Sequence, residues 1–309
     1  MKTVCRFAPS STGRAHPGTL LAGLLAWLDA RSCGAEFILR LEDLDPERSR
    51  PEWREGLLDD LQWFGLDWDR LELQSENASR HAAALDQLQS LDRLYPCSCS
   101  RAKLKESGRI AADGGRVYPG YCRDRRLAGD WRLCHEPLRC RIDETVTNLR
   151  DESGLDLSQN VEAAMGDPVL RRRDGAIAYQ LAVVVDDAAV GVNRIVRGRD
   201  IAASTATQVI LHQLLGLPVP TYRHHLLLLE PRGEKFAKLH GAVGADVLRR
   251  HISAEALCGL LAQVSGIQAD LRSCRPAELA SGFDWRKIKK ENQVLAWTGE
   301  TLQYLGQAD

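Results

Sequence analysis

Arg6-Phe7-Ala8-Pro9-Ser10-Ser11-Thr12-Gly13-Arg14-Ala15-His16-Pro17-Gly18-Thr19 decides the fold of this chain. Residues 4–8 are a short apolar run with the length of a buried strand. A polar, Gly-bearing loop follows. A Leu-rich pattern over about 19–32 then predicts a helix, stopped at Gly34. Residues 36–41 predict a second strand, which completes a β-α-β unit and opens a parallel sheet. A helix that starts just after a strand offers unpaired backbone N–H groups and a positive dipole end to a phosphate. Gly18 lets a ring or phosphate approach the backbone, and His16 adds a donor for developing charge.

Working outward, Pro51 sits where another helix begins. Leu57, Leu58, Leu61 and Phe64 mark its buried face, and Gly65 ends it. A further helix is expected over 76–94, with Leu85, Leu88 and Leu91 inside. Residues 97–175 are basic and weakly periodic, and they predict an insertion between two halves of the sheet. Apolar runs resume at 177–185, long enough for a buried strand. Ser204 is expected to cap a helix running to Leu215. From about 216 onward the pattern is mostly helical, with Leu257, Leu260, Leu261 and Val264 in one stripe.

The chain has 309 residues and a net charge of −1, so it is not a polycation. Nucleic-acid binding would need local patches. Residues 97–141 supply one, with eleven Lys or Arg against five acids. The longest apolar run, residues 20–28, is too short to span a membrane. The first residues lack a signal-peptide pattern, so a cytoplasmic location is expected. Nine scattered cysteines argue against a disulfide framework. Cys97-Ser98-Cys99 and Cys122 instead suggest a metal site. Zn²⁺ takes four ligands, and Cys134, His135 or Cys140 could supply the fourth.

Far downstream, Lys235-Phe236-Ala237-Lys238 places two lysines three apart beside Gly233, as a polyphosphate-gripping loop requires. Taken with His16-Pro17-Gly18-Thr19, this pair of motifs resembles the class I aminoacyl-tRNA synthetases, in particular the glutamyl branch. Arg40-Leu41-Glu42-Asp43-Leu44-Asp45, Ala178-Tyr179-Gln180-Leu181-Ala182 and Ile195-Val196-Arg197-Gly198-Arg199-Asp200 match that branch in the right order. Ala237 and Leu239 depart from the second motif, and Pro17 and Thr19 from the first.

The resemblance implies a Rossmann-type α/β fold with an inserted zinc-binding subdomain and a short C-terminal helical segment. The implied division is residues 1–94 and 176–232 for the two catalytic halves, 95–175 for the insertion, and 233–309 for the lysine loop and a stem-contact-like segment. ATP, carried with Mg²⁺, would be held by His16, Gly18, Thr19, Lys235 and Lys238, with His16 and Lys238 catalytic. Glutamate would lie among Arg6, Phe7, Ala8, Pro9, Ser10, Glu42, Tyr179 and Arg197. Guanidinium forks suit its two carboxylates, and an acid suits its ammonium. One structural zinc would be held by Cys97, Cys99, Tyr118 and Cys122, and a monomer is expected.

Only 71 residues follow Lys238, too few for the helical anticodon reader of full glutamyl-tRNA synthetases. That shortness resembles the glutamyl-synthetase-like proteins that activate glutamate without tRNA and move it to the queuosine base of tRNA(Asp). The expected partner is then the anticodon stem-loop of that tRNA. Two alternatives stand beside this: a compact synthetase charging a tRNA 3′ end, and a non-catalytic RNA-binding paralogue.

Overall fold

The computed structural model describes residues 2–106, 108–111, 113–146, 148–234 and 243–308. They group into two compact units. One comprises Met1–Leu73, Arg194–Arg199 and Tyr222–Asp309; the other comprises Gln74–Asn193 and Asp200–Thr221.

The first unit is built on a five-stranded sheet. Its order is Thr221–His225, Arg194–Gly198, Val4–Phe7, Glu36–Leu41, Arg70–Leu73. Val4–Phe7 lies at the centre and pairs in parallel with Glu36–Leu41 on one side and Arg194–Gly198 on the other. Every residue of Val4–Phe7 is buried, as are Phe37 to Leu41. Such strands show no alternation because helices or other elements cover both sheet faces. The helix Pro17–Ser32 fills one face. Pro17 fits its first turn, where the missing N–H is an orphan in any case, and Gly34 at φ +64 follows its end. Leu20, Leu21, Leu24, Leu25 and Leu28 are at most 1 % exposed. Each such side chain contributes roughly 1.5–3 kcal/mol of gross burial energy. Gly23 lets the helix approach Phe7 and Leu66, since a Cβ there would sit 3.1 and 3.0 Å from them.

The helix Ala254–Ser265 completes this unit. Ser253 Oγ accepts from Ala256 N at 3.2 Å, and Gly266 closes the other end at φ +92. Gly259 faces the Arg272 carbonyl so closely that a Cβ would fall 2.1 Å from its oxygen. Gly259→Ala is therefore expected to lose about 1–3 kcal/mol of stability through overpacking. A urea midpoint equal to that of the parent would contradict this close approach.

In the second unit the helices Ala78–Ser90, Tyr179–Ala189 and Thr205–Leu214 pack beside an antiparallel sheet of Leu94–Pro96, Leu138–Cys140 and Val169–Arg171. Its interior carries a polar node. His81 Nε2 lies 3.0 Å from Asp186 Oδ1, and Gln74 Nε2 donates to Asp186 Oδ2 at 3.0 Å.

Several expectations need correction. Residues 177–185 are not a strand, because Tyr179–Ala189 is helical. Leu181 to Asp187 are all buried, so the helix has no polar face to reveal its period. Ser204 stands at the start of the Thr205–Leu214 helix but makes no capping bond; its Oγ accepts from Gln180 Nε2 at 2.9 Å. Leu91 is 48 % exposed, because the Ala78–Ser90 helix ends one residue before it. The C-terminal helices are joined by the strand pair Gln293–Trp297 and Leu302–Gln307, which the pattern did not indicate.

Candidate active site and cysteine cluster

The order of the large sheet reverses direction at Val4–Phe7. The chain builds outward on one side through Glu36–Leu41 and Arg70–Leu73, and on the other through Arg194–Gly198. Ligands of open α/β sheets bind outside the carboxyl ends of the strands at such a reversal. Arg6 and Phe7 end the central strand, Glu42 follows Leu41, and Arg197 lies next to last in its strand. Arg6 is 4 % exposed and Arg197 is 5 % exposed. Arg197 Nε donates to His224 Nε2 at 3.1 Å, and its guanidinium lies over the Tyr222 ring at 5.0 Å. These two contacts fix the plane of a buried cation.

The loop after Phe7 is stitched to the end of the neighbouring strand. Glu42 N donates to Pro9 O at 3.0 Å, and Ser11 N donates to Glu42 O at 3.2 Å. Ser10 and Glu42 form an isolated parallel bridge, so the backbone sets them side by side. His16 is the N-cap of the Pro17–Ser32 helix, and its Nδ1 accepts from Thr19 N at 3.3 Å. In the neutral ring an accepting Nδ1 leaves the proton on Nε2, which can then donate. Gly18 and Thr19 lie in the first turn of that helix.

A buried carboxylate holds this loop. Asp60 accepts from Arg14 Nε at 2.9 Å, from Ala15 N at 2.9 Å and from Arg249 Nη2 at 2.7 Å. The Asp60 hydrogen bond is the main reason the Arg14 guanidinium holds its proton more tightly than usual. Ala245 N donates to Ala15 O at 2.7 Å. The residue just before His16 is thereby bonded to Ala245, which follows the lysine motif in the sequence. Lys235 and Lys238 themselves lie outside the described residues. Tyr179 belongs to the other unit, where it begins the helix Tyr179–Ala189 and is half-buried.

The second unit brings together three of the cysteines read from the sequence. The Cys97, Cys99 and Cys122 sulfurs all lie within 4.8 Å of one another. Cys99 and Cys122 are 3.7 Å apart, and Tyr118 Oη is 3.8 Å from Cys97 Sγ. A tetrahedral zinc with Zn–S bonds of about 2.3 Å would separate its sulfurs by roughly 3.8 Å. Burial pushes the Cys99 thiol up to about 12. At Cys122 burial also raises the value, but hydrogen bonding with Ser98, Cys99 and Tyr118 outweighs it and brings the thiol down to about 6. The two other candidate cysteines turn elsewhere. Cys134 Sγ is directed at Glu136 O and Cys140 Sγ at Arg141 O, both at 3.7 Å.

The basic insertion is less available to a partner than its charge suggests. Arg123 is bonded to Asp167 at 2.6 Å, Arg125 to Glu136 at 2.6 Å, and Arg132 to Asp86 at 2.6 Å. Arg139 and Arg141 donate to backbone oxygens. By contrast, Arg101, Lys103 and Lys105 lie on the short helix Arg101–Glu106, are exposed, and bury none of its residues. Sequence reasoning missed Asp60, Arg249, His224, Arg139 and Asp167. Each acts through a partner distant in sequence, and no local spacing marks such a pair.

The model for the class I (E and Q) tRNA synthetase catalytic domain matches residues 2–251. A curated relative from Symbiobacterium thermophilum, named glutamyl-Q tRNA(Asp) synthetase, is 42% identical over 93% of this chain and 94% of its own length. One of the same name from Nocardia farcinica is 40% identical over 95% and 93%. A crystal structure of a glutamate tRNA ligase from Elizabethkingia meningosepticum, in complex with its amino acid, superposes with a TM-score of 0.77. It is 25% identical, over 95% of this chain and 67% of that one.

Proposed function

This chain belongs to the class I tRNA synthetases of the glutamyl and glutaminyl type, beside the relatives named glutamyl-Q tRNA(Asp) synthetase, and we propose that it forms glutamyl-adenylate without RNA and then passes the glutamyl group to the queuosine base of tRNA(Asp). The observation that carries the activation step is the pair of buried guanidiniums, Arg6 and Arg197, at the strand ends beside Glu42. A buried guanidinium presents several N–H donors in a planar fork, and a substrate bearing two carboxylates suits a pair of them. The transfer to queuosine rests on the relatives, whose lengths this chain spans almost fully.

One glutamate carboxylate oxygen attacks the α-phosphorus of ATP, the bond to the β-phosphate oxygen breaks, and pyrophosphate leaves with its Mg²⁺. Negative charge spreads over the phosphoryl oxygens in that transition state. His16 Nε2–H and the backbone N–H groups at Gly18 and Thr19 would donate to them, with Lys235 and Lys238 supplying positive charge. Arg6, Arg197, Tyr179 and Ser10 would hold the amino acid, with Phe7, Ala8 and Pro9 as its wall and Glu42 on its ammonium. In the second step a nucleophile of the queuosine base takes the glutamyl group and AMP leaves.

Glutamate-dependent exchange of labelled pyrophosphate into ATP is expected with no RNA present. Aspartate, one methylene shorter, cannot reach both guanidiniums and should exchange at least about tenfold more slowly. Exchange that needs tRNA favours the compact synthetase, and equal rates with aspartate contradict the pocket. A hairpin of the tRNA(Asp) anticodon stem-loop bearing queuosine is expected to accept glutamate in a periodate-resistant linkage. An inert hairpin, with full tRNA(Glu) charged at its 3′ end, contradicts the transfer step. Because Arg123 and Arg125 are held in ion pairs, the phosphate-contact test belongs on Arg101, Lys103 and Lys105. Their joint replacement by Ala should flatten the salt dependence of transfer and leave exchange unchanged.

The cysteine cluster fits one structural zinc, held by Cys97, Cys99, Cys122 and Tyr118 Oη, with the spacing given above. Elemental analysis of the purified protein should find it. Cys97→Ser should lose the metal while leaving exchange in the first unit measurable. Metal kept by Cys97→Ser, Cys99→Ser and Cys122→Ser alike would sink the site.

A further inference from the structure

Beneath the cysteine cluster lies a cation that the expected ligand set does not include. Arg139 sits in the middle of the strand Leu138–Cys140 and is 7 % exposed. Its Nε donates to Cys97 Sγ at 3.3 Å. Its guanidinium carbon lies 3.7 Å from the centroid of the Tyr118 ring. Its Nη1 donates to the backbone oxygen of Asp167 at 2.5 Å. The same Asp167 is 1 % exposed, and its side chain accepts from Tyr95 Oη at 2.6 Å, Arg123 Nη1 at 2.6 Å and Ile142 N at 2.8 Å. One buried guanidinium therefore bonds one expected ligand, stacks on another, and is aimed by a residue that is itself anchored on three sides.

We propose that Arg139 is a positioning and charge-compensating residue of the zinc site, a reading that rests on the zinc assignment above. Zn²⁺ bound by three thiolates and a phenolate is a net dianion, and most of it here is buried. Unpaired charge in such a place is expensive. A guanidinium over the phenolate ring and against the Cys97 thiolate offsets part of that charge at the two ligands it touches. The N–H···S bond also draws electron density from Cys97 and lowers the nucleophilicity of its sulfur. Cys99 is half-buried while Cys97 is 2 % exposed. Attack by electrophiles or oxidants should thus begin at Cys99 and reach Cys97 last.

The test is chelator competition for zinc, combined with iodoacetamide labelling of the native protein and peptide mass spectrometry. Arg139→Gln is expected to weaken zinc retention by roughly ten- to a hundredfold, the usual range for an outer-shell partner. It should also raise Cys97 labelling relative to Cys99 and Cys122. Arg139→Lys should recover part of the retention but not the protection of Cys97, since an ammonium lacks the planar fork. The cobalt-substituted protein adds a spectroscopic readout, in which the sulfur-to-metal charge-transfer band shifts in Arg139→Gln. Arg141→Gln serves as the structural control, because Arg141 donates to the backbone oxygens of Asp92, Leu94, Arg123 and Arg125 and, among the described residues, to no sulfur. If both variants raise labelling of all three cysteines equally, the role of Arg139 is only to hold the subdomain together and the proposal fails. It fails equally if Arg139→Gln keeps parent zinc affinity and parent Cys97 labelling. A parent protein purified without zinc would instead remove the metal assignment itself.

Discussion

His16→Ala is expected to slow glutamate-dependent pyrophosphate exchange by about a hundred- to a thousandfold while changing the KM for glutamate by no more than about threefold. The reason is the timing of charge. Glutamate and ATP bind with their charges already in place, whereas the extra charge on the α-phosphoryl oxygens exists only in the transition state. A donor aimed at those oxygens lowers the barrier and adds little to ground-state binding. His16 has a second role that must be separated from the first. Its Nδ1 caps the Pro17–Ser32 helix through Thr19 N. Loss of such a cap costs about 0.5–2 kcal/mol of stability, but it acts on folding rather than on the barrier. His16→Asn divides the two, because Asn is a good cap and lacks a donor at the Nε2 position. The Asn variant should be as slow as the Ala variant yet melt close to the parent. An Asn variant with parent exchange would reduce His16 to a cap. Lys238→Ala is expected to lose a similar factor, and Lys235→Ala less, if Lys238 is the principal phosphate ligand.

The parts of this fold that were legible in the sequence are those governed by neighbours in the chain. Strand Glu36–Leu41 and helix Pro17–Ser32 are bounded by Gly34, and glycine and proline punctuate local structure whatever surrounds them. The three cysteines were legible because ligand chemistry demands sulfur, and few other reasons place Cys-Ser-Cys before a second aromatic-Cys spacing. Residues 177–185 misled for a physical reason. A helix buried on all sides and a buried parallel strand both read as a continuous apolar run, and length alone does not separate them. The acids Asp186 and Asp187 directly after that run were a usable signal. A buried carboxylate such as Asp186, held by His81 and Gln74, needs partners from other elements, which helices packed side by side provide. Arg139 was read as one more charge in a basic stretch. Its role follows from cross-strand neighbours, and those exist only after Leu138–Cys140 pairs with Leu94–Pro96 and Val169–Arg171.

Asp60 was invisible for the same reason, and its replacement carries the largest expected stability effect outside the cysteine cluster. Its side chain is fully buried. It accepts bonds from Arg14 and Ala15 N in the loop before His16 and from Arg249 in a distant segment. Asp60→Ala leaves the Ala15 N–H without its acceptor and two guanidiniums without their buried counter-charge, with only the exposed Asp59 still beside them. Breaking a buried pair from one side typically costs about 3–5 kcal/mol. The lower end applies here, because the Arg14 and Arg249 side chains are 25% and 26% exposed and can recover water. Asp59 is the natural control. It touches the same two arginines, at 3.4 and 2.8 Å, but is 59% exposed, so Asp59→Ala should cost less than about 1 kcal/mol. The difference between the two variants reports burial together with the bond to Ala15 N, since the two arginines are shared. Function should follow stability in one respect only. Asp60 aims the loop that ends at His16, and Ala15 in turn holds Ala245, just past the lysine motif. Asp60→Ala should therefore raise the KM for ATP in pyrophosphate exchange more than the KM for glutamate, even at temperatures where the variant is fully folded. Urea unfolding that finds Asp60→Ala no weaker than Asp59→Ala would show that the carboxylate is not the joint between the loop and the rest of its unit.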